Sequence, residues 1–241
     1  KELIISFIMI QLNDDQLNAY NLLYEFLKKK KDKVFVLTGS AGTGKTTLIT
    51  EIMKHNNIFK KKIVLSATTN KAVSVIQKMF EAAPKNVHFS TIHKLMQIKR
   101  KINMDGSESY VINIDESPNQ KKKSIYFYDI IVIDEASMIS KDLVSEIISV
   151  SSKIKGQIIF VGDTLQLPPI NEEISEVFNL DIKKFNLTKI ERSKNNIVKY
   201  SNQLREHILH KTKIRYKSFL DNDVSIIKNQ NDWIDKYIEI F

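Results

Sequence analysis

The apolar positions along this chain follow two distinct spacings. From residue 14 to residue 30 they recur every three or four residues, at Leu17, Tyr20, Tyr24 and Leu27, with Leu23 and Phe26 beside them. That spacing predicts an amphipathic helix. Asn13 stands where the helix would be capped, with Gln16 three residues on, the pairing of a capping box. Lys28–Lys31 and Lys33 close it with charge that suits a helix C-terminus. Elsewhere the apolar runs are short and unbroken: Val34–Thr38, Ile63–Ser66, Ile130–Asp134 and Ile158–Val161. Each is too apolar to face water on either side. They alternate with helical stretches at 45–56, 70–81 and 140–151, so the expected fold is α/β, a mainly parallel sheet with helices on both faces. A further strand is expected through Phe185–Leu187 and a further helix over 195–210.

Residues 97–127 break this alternation. Gly106, Ser107 and Ser109 surround a turn, with Tyr110, Val111, Ile112 and Ile114 after it and basic clusters at 99–101 and 121–123 on either side. The stretch reads as a small hairpin-bearing insertion outside the sheet. The run Leu3–Ile10 is too short to span a bilayer and no small-residue cleavage site follows it; it reads as a buried strand or packed N-terminal segment. No membrane association is expected.

Composition narrows the chemistry. With 241 residues and no cysteine, disulfides and thiolate metal sites are excluded, which fits a reducing compartment; the expected setting is intracellular, cytoplasmic or nucleoid-associated, with a nucleus left open. The net charge of +9 is concentrated: eleven Lys or Arg and two Glu lie between Lys183 and Lys217, and the remainder sums to zero. Such a block favours a polyanionic partner, nucleic acid first, although a solvated helical face has the same composition.

Two elements carry chemistry directly. Gly39-Ser40-Ala41-Gly42-Thr43-Gly44-Lys45-Thr46, followed by Thr47, is a G-x-x-x-x-G-K-T loop between an apolar strand and a helical stretch. Glycines let consecutive backbone N–H groups curl around phosphate oxygens, and the helix that follows points its positive end at the same anion. In that setting Lys45 serves the β- and γ-phosphates and the Thr46 hydroxyl ligates Mg²⁺. The complement is Ile130–Ile133 ending in Asp134 and Glu135 at the rim of the sheet, where open α/β folds bind ligands. Asp134 is expected to hold Mg²⁺ and Glu135 to orient and deprotonate the attacking water. Together these indicate a site built to hydrolyse ATP.

Further segments resemble superfamily 1 DNA helicases of the RecD/Dda type. They are Leu12-Asn-Asp-Asp-Gln16, Leu65-Ser-Ala-Thr68-Thr69-Asn70-Lys71-Ala72, Phe89-Ser90-Thr91-Ile92-His93-Lys94-Leu95, Gly162-Asp163-Thr164-Leu165-Gln166-Leu167-Pro168-Pro169 and Leu187-Thr188-Lys189-Ile190-Glu191-Arg192-Ser193. The resemblance spans roughly residues 12–198, with the motifs in family order. It implies that 1–190 is a RecA-like motor domain interrupted by 97–127, and that Gln16 reads adenine. It also implies that Thr68, Thr69, Asn70, Lys71, Ser90, Thr91 and His93 contact single-stranded DNA. By the same resemblance Gln166 senses the γ-phosphate, Arg192 reaches it across a cleft between two motor domains, and the insertion forms a duplex-splitting pin with Tyr110 a candidate for base stacking. Translocation is then expected 5′ to 3′ on single-stranded DNA and at duplex junctions, with replication or repair proteins as partners.

Several local alternatives stand beside these roles: Asn13 with Gln16 as a simple cap, Thr69 or Asn70 as a helix cap, Tyr110 packed within its hairpin. Nothing after Arg192 supplies the family's second RecA-like domain, so 191–241 is expected to be a helical linker and the start of that domain, and the chain a fragment or a truncated relative with little ATPase of its own. The competing reading is a nucleic-acid-binding module whose ATPase is silent.

Overall fold

The computed structural model describes residues 12–53, 58, 60–80, 84–102, 108–112, 124–191 and 196–210. The apolar run Leu3–Ile10 and Arg192 lie outside them. The chain divides into two compact units, 1–190 and 191–241. In the second, the described element is helix α6 (Asn196–His210).

In the first unit, helix α1 (Asp14–Lys29) begins with the expected capping box. The Asn13 side chain accepts from the Gln16 N–H at 2.9 Å, and the Gln16 Oε1 accepts from the Asn13 N–H at 3.1 Å. Five strands and four helices then alternate before the strand at the far edge: β1 (Val34–Gly39), α2 (Lys45–Met53), β2 (Ile63–Ala67), α3 (Asn70–Met79), β3 (Val87–Thr91) and the single turn α4 (Ile92–Leu95). After a separate antiparallel hairpin, β4 (Ile98–Ile102) with β5 (Glu108–Ile112), come β6 (Ile130–Ile133), α5 (Lys141–Ser151), β7 (Gln157–Gly162) and β8 (Lys183–Leu187). The main sheet has six strands, all parallel, in the order β3-β2-β6-β7-β1-β8.

The unbroken apolar runs are the central strands, and pleating explains why both faces had to be apolar. Along β1, Phe35 and Leu37 face a core made with α1, α2 and α3 (Leu23, Phe26, Leu48, Ile52), while Val34 and Val36 face a second core made with α4 and α5 (Ile92, Leu95, Val144, Ile147). β6 and β7 alternate the same way, Val132 and Ile159 to one side, Ile133 and Phe160 to the other. Fully burying each such side chain is worth roughly 1.5–3 kcal/mol.

The strand missing from the sequence reading is β3. Val87 and Phe89 alternate with His88 and Ser90 at the edge of the sheet, a two-residue period rather than an apolar run. β8, at the other edge, starts two residues earlier than expected, because Lys183 and Lys184 pair in register with Phe35 and Val36.

The sheet is tied to α1 by a buried side chain. Gln157, at the start of β7 and 2% exposed, donates from Nε2 to the Phe26 carbonyl at 2.7 Å and to the Asp32 carbonyl at 3.1 Å. Replacing Gln157 with leucine strands these acceptors. We expect a loss of about 1–3 kcal/mol, measured as a lower urea midpoint with an unchanged m-value.

Candidate functional site

Parallel pairing places every strand's carboxyl end at one edge, and the chemistry gathers there. Register aligns Thr38 of β1 with Gly162 of β7, and Ile133 of β6 with Ser66 on one side and Phe160 on the other. The loop after β1, the acidic pair after β6 and the Gly-Asp turn after β7 therefore emerge side by side.

The loop 39–44 is shaped by what surrounds it. Gly44 has φ +86°, and a Cβ there would collide with the Gln16 amide. Gln16 is 5% exposed and donates from Nε2 to the Thr43 carbonyl at 3.0 Å. It thus spans from its own helix cap to the phosphate loop; the capping and loop-reading roles sit on one side chain. Thr43 is fully buried and closes the turn by donating to the Ser40 carbonyl at 2.9 Å. The Lys45 ammonium lies over the loop, donating to the carbonyls of Gly39 at 2.7 Å and Ser40 at 3.0 Å. Thr46 and Thr47 open α2, both partly buried.

Asp134 follows β6, and its N–H donates to the Ser66 carbonyl at 2.8 Å. Burial pushes its carboxyl above the ordinary range, against opposing pulls from the Glu135 N–H and Lys45. Glu135 is also raised, by burial first and then by the Asp134 charge, with Lys45 pulling the other way. Its backbone is left-handed, φ +55° and ψ +42°, a conformation that costs a non-glycine residue on the order of 1–3 kcal/mol and collects at functional sites. The Glu135 N–H donating to Asp134 Oδ1 at 2.9 Å holds it there.

Beside this turn, Gly162 admits the close approach of Ala136 and Phe178, which a Cβ would meet at 3.1 Å. Asp163, 1% exposed, accepts from the Leu165 N–H at 3.1 Å, and its carbonyl accepts from the Gln166 N–H at 3.2 Å. This brings the exposed Gln166 to the same place.

An open cleft of about 470 Å³ joins these groups: Thr46, Asp134, Glu135, Ser137 and Gln166 line it together with Thr69 and Lys71. Ser137 is 2% exposed, and its hydroxyl has no hydrogen-bond partner among the described residues; the same holds for the buried hydroxyl oxygen of Thr68. Thr69 caps α3, accepting from the Ala72 N–H at 3.2 Å, and Asn70 is exposed at its start. Ser90 and Thr91 end β3 alongside Ser66 and Ala67 of β2. Thr91 caps α4, accepting from the Lys94 N–H at 3.4 Å, and His93 is exposed. Tyr110 pairs with Arg100 in the hairpin register, while its side chain, like Arg192, lies outside what is described.

Reading the motifs alone missed Asp15. Its carboxylate accepts from the Thr188 N–H at 2.7 Å, the Thr188 hydroxyl at 3.2 Å and the Lys189 N–H at 3.1 Å. Burial alone would raise its pKa, but these hydrogen bonds and the Lys189 charge outweigh it and hold Asp15 below the usual carboxylate range. The first turn of α1, which carries Gln16, is thereby fastened to the segment leading toward Arg192. No periodicity could show this, because the partners are 173 residues apart.

Comparison with known proteins supports the same assignment. The sequence profile of a family described as AAA domain matches residues 25–172. RecBCD enzyme subunit RecD of Buchnera aphidicola is 33% identical over 185 residues, covering 65% of this chain and 28% of its own. The ATP-dependent DNA helicase PIF1 of Trypanosoma brucei is 27% identical, covering 69% of this chain and 15% of its own. A protein of Acanthamoeba polyphaga mimivirus is 33% identical over 177 residues, covering 69% and 35%. The chain thus spans about a third or less of the length of these curated relatives. The crystal structure of Bacteroides Pif1 in complex with ADP-AlF4 superposes with a TM-score of 0.53 at 22% identity, over 95% of this chain and 56% of that one, a likeness of fold. With its phosphate loop, acidic pair and Gly-Asp turn set around one cleft, the chain belongs to this AAA-domain family, on the superfamily 1 branch of RecD- and Pif1-type helicases.

Proposed function

We propose that this chain is the N-terminal motor domain of an ATP-dependent DNA helicase moving 5′ to 3′ on single-stranded DNA. The observation that carries the reading is the shared cleft. Thr46, Asp134, Glu135 and Gln166, which would serve the nucleotide, line one wall system with Thr69 and Lys71, which would grip the strand. The two sets border the same open space.

The donor set fits Mg-ATP. Gly44 of the loop holds a left-handed backbone, φ +86°, that disfavours a side chain, and Thr46 and Asp134 both line the cleft with a hydroxyl-bearing and a carboxylate side chain. Among the described residues no three His, Asp or Glu side chains form a metal cage, and a cation bound mainly through phosphates and one carboxylate suits Mg²⁺. Mg-ATP bound there would supply the phosphoanhydride and offset the charge of its oxygens. The loop N–H groups and Lys45 then hold phosphate oxygens, and Glu135 accepts a proton from water. The raised Glu135 pKa means that its basic form is lost at a higher pH than for an ordinary glutamate. Gln16 would read the base with the amide that here donates to the Thr43 carbonyl. Arg192 and a second RecA-like domain would complete the opposite wall.

If this is right, Glu135→Gln will lower DNA-stimulated ATP turnover by at least about a hundredfold while nucleotide binding survives, and Lys45→Ala will weaken both. A Lys45→Ala protein that still unwinds duplex DNA would sink the motor reading. Asp134→Asn tests the cost of burying the acid. Because the folded pKa of Asp134 is raised, its charge destabilises the fold as pH rises through that pKa. The variant is expected to melt a few degrees higher at pH 7, with the gain vanishing near pH 4, and to lose ATPase activity. Asp15→Ala should speed amide hydrogen exchange at Thr188 and Lys189 and, if Arg192 acts at the phosphate, lower turnover several-fold with little change in KM. In the double variant with Arg192→Ala, the two losses should not multiply.

A further inference from the structure

The same parallel pairing that gathers the carboxyl ends of the strands also gathers their starts at the opposite end, and that end is crowded with lysine. Lys28–Lys31 finish α1 and lead into β1, Lys60–Lys62 precede β2, Lys153 and Lys155 precede β7, and Lys183 and Lys184 open β8. All but Lys61 are exposed.

Contacts across elements show that this is one surface. Lys33 donates to the Ile154 carbonyl at 2.8 Å, Lys61 to the Leu27 carbonyl at 3.4 Å, and Lys183 pairs with Asp32 at 2.6 Å. Lys61 titrates below the usual lysine range, through burial first and then repulsion from Lys30. Three carboxylates at this end are engaged, Asp32 with Lys183, Glu25 with Lys29 at 2.9 Å, and Asp129 with the Lys62 N–H at 2.9 Å, and Asp181 stands exposed just before β8, so lysine still outnumbers acid there.

The helix dipole accounts for lysines at the end of α1, but not for those at the starts of strands. Solubility alone would scatter them. The cleft end is mixed and leans acidic: Asp14, Asp15, Asp134, Glu135, Asp142, Asp163 and Glu172 stand there against Lys45, Lys71, Lys94, Lys141 and Lys189. The domain is polarised along its strands.

We infer that the strand-start end is a second nucleic-acid contact, a sequence-independent seat for the phosphate backbone of duplex DNA, separate from the strand-gripping cleft. Lysine ammoniums are point charges that neutralise phosphate without reading bases. Single-strand platforms pair such charge with open aromatic faces, yet here Phe127 lies under the Lys62 ammonium at 3.9 Å, and it packs with Tyr128 and His88. A membrane fits less well, since Leu27, Ile63 and Ile154, interleaved with these lysines, are all buried. Six residues of strand at about 3.3 Å each separate the two ends by roughly 20 Å. That distance lets duplex ahead of or behind the translocating strand lie against the domain while the cleft holds the strand itself. The inference stands on charge and topology, and it holds whether or not the cleft hydrolyses ATP.

The test is a variant carrying Lys31→Gln, Lys60→Gln, Lys153→Gln and Lys155→Gln, four exposed positions, with Lys141→Gln at the opposite end as control. Binding to a labelled duplex of about 20 base pairs is followed by fluorescence anisotropy over a salt series. For the fourfold variant, affinity at low salt should fall at least about tenfold, and the slope of log K against log salt should shrink by roughly two to four. Lys141→Gln should change neither, and affinity for a fluorescent ATP analogue should stay the same in both. A folded fourfold variant with unchanged duplex affinity and slope overturns the proposal. So does a variant that loses binding to phosphatidylserine vesicles but not to duplex, which would reassign the face to a membrane.

Discussion

The register of three adjacent strands, β6, β7 and β1, is the constraint on which the rest of the site depends. It sets Gly39, Asp134 and Gly162 at nearly the same height, so that loops distant in sequence open onto one cleft. A slip of one residue would move each strand's side chains from one core to the other. Both faces of these strands are apolar, and both cores would be broken at once. Burial on two faces thus protects functional geometry as much as stability.

On that rigid edge the protein keeps several costly features. Glu135 has a left-handed backbone, two neighbouring carboxyls are partly buried, and the Ser137 and Thr68 hydroxyls lack partners among the described residues. The four residues concerned, Thr68, Asp134, Glu135 and Ser137, follow the ends of β2 and β6, adjacent strands. A fold optimised for stability would remove each of them. Their clustering marks the place where the molecule tolerates cost for chemistry, and the two-sided core behind them supplies the stability that offsets it.

Much of the fold could be read beforehand because its signals are local. Uninterrupted runs such as Ile130–Ile133 cannot face water, and the loop from Gly39 to Thr46 needs its glycines where they are. The capping box at Asn13 and Gln16 involves only neighbours in the chain. β3 escaped because an edge strand needs only one apolar face, and its Val87 and Phe89 alternate weakly. Asp15 escaped because nothing near it in sequence shows that it will meet Thr188.

Charge marks the boundary between the two kinds of knowledge. Along the chain the positive excess sits in one late block and the remainder sums to zero. In three dimensions that neutral remainder separates, with lysines at the starts of the strands and carboxylates at their ends. The sequence by itself determined the apolar central strands, the phosphate loop and the acidic pair, because each depends on residues a few positions apart. Only the tertiary structure decided which segments share an edge, that Asp15 fastens the Thr188 turn, that Glu135 is held left-handed, and that the lysines share a face. Strand order and register arise from packing both apolar faces at once, and no single segment contains that information.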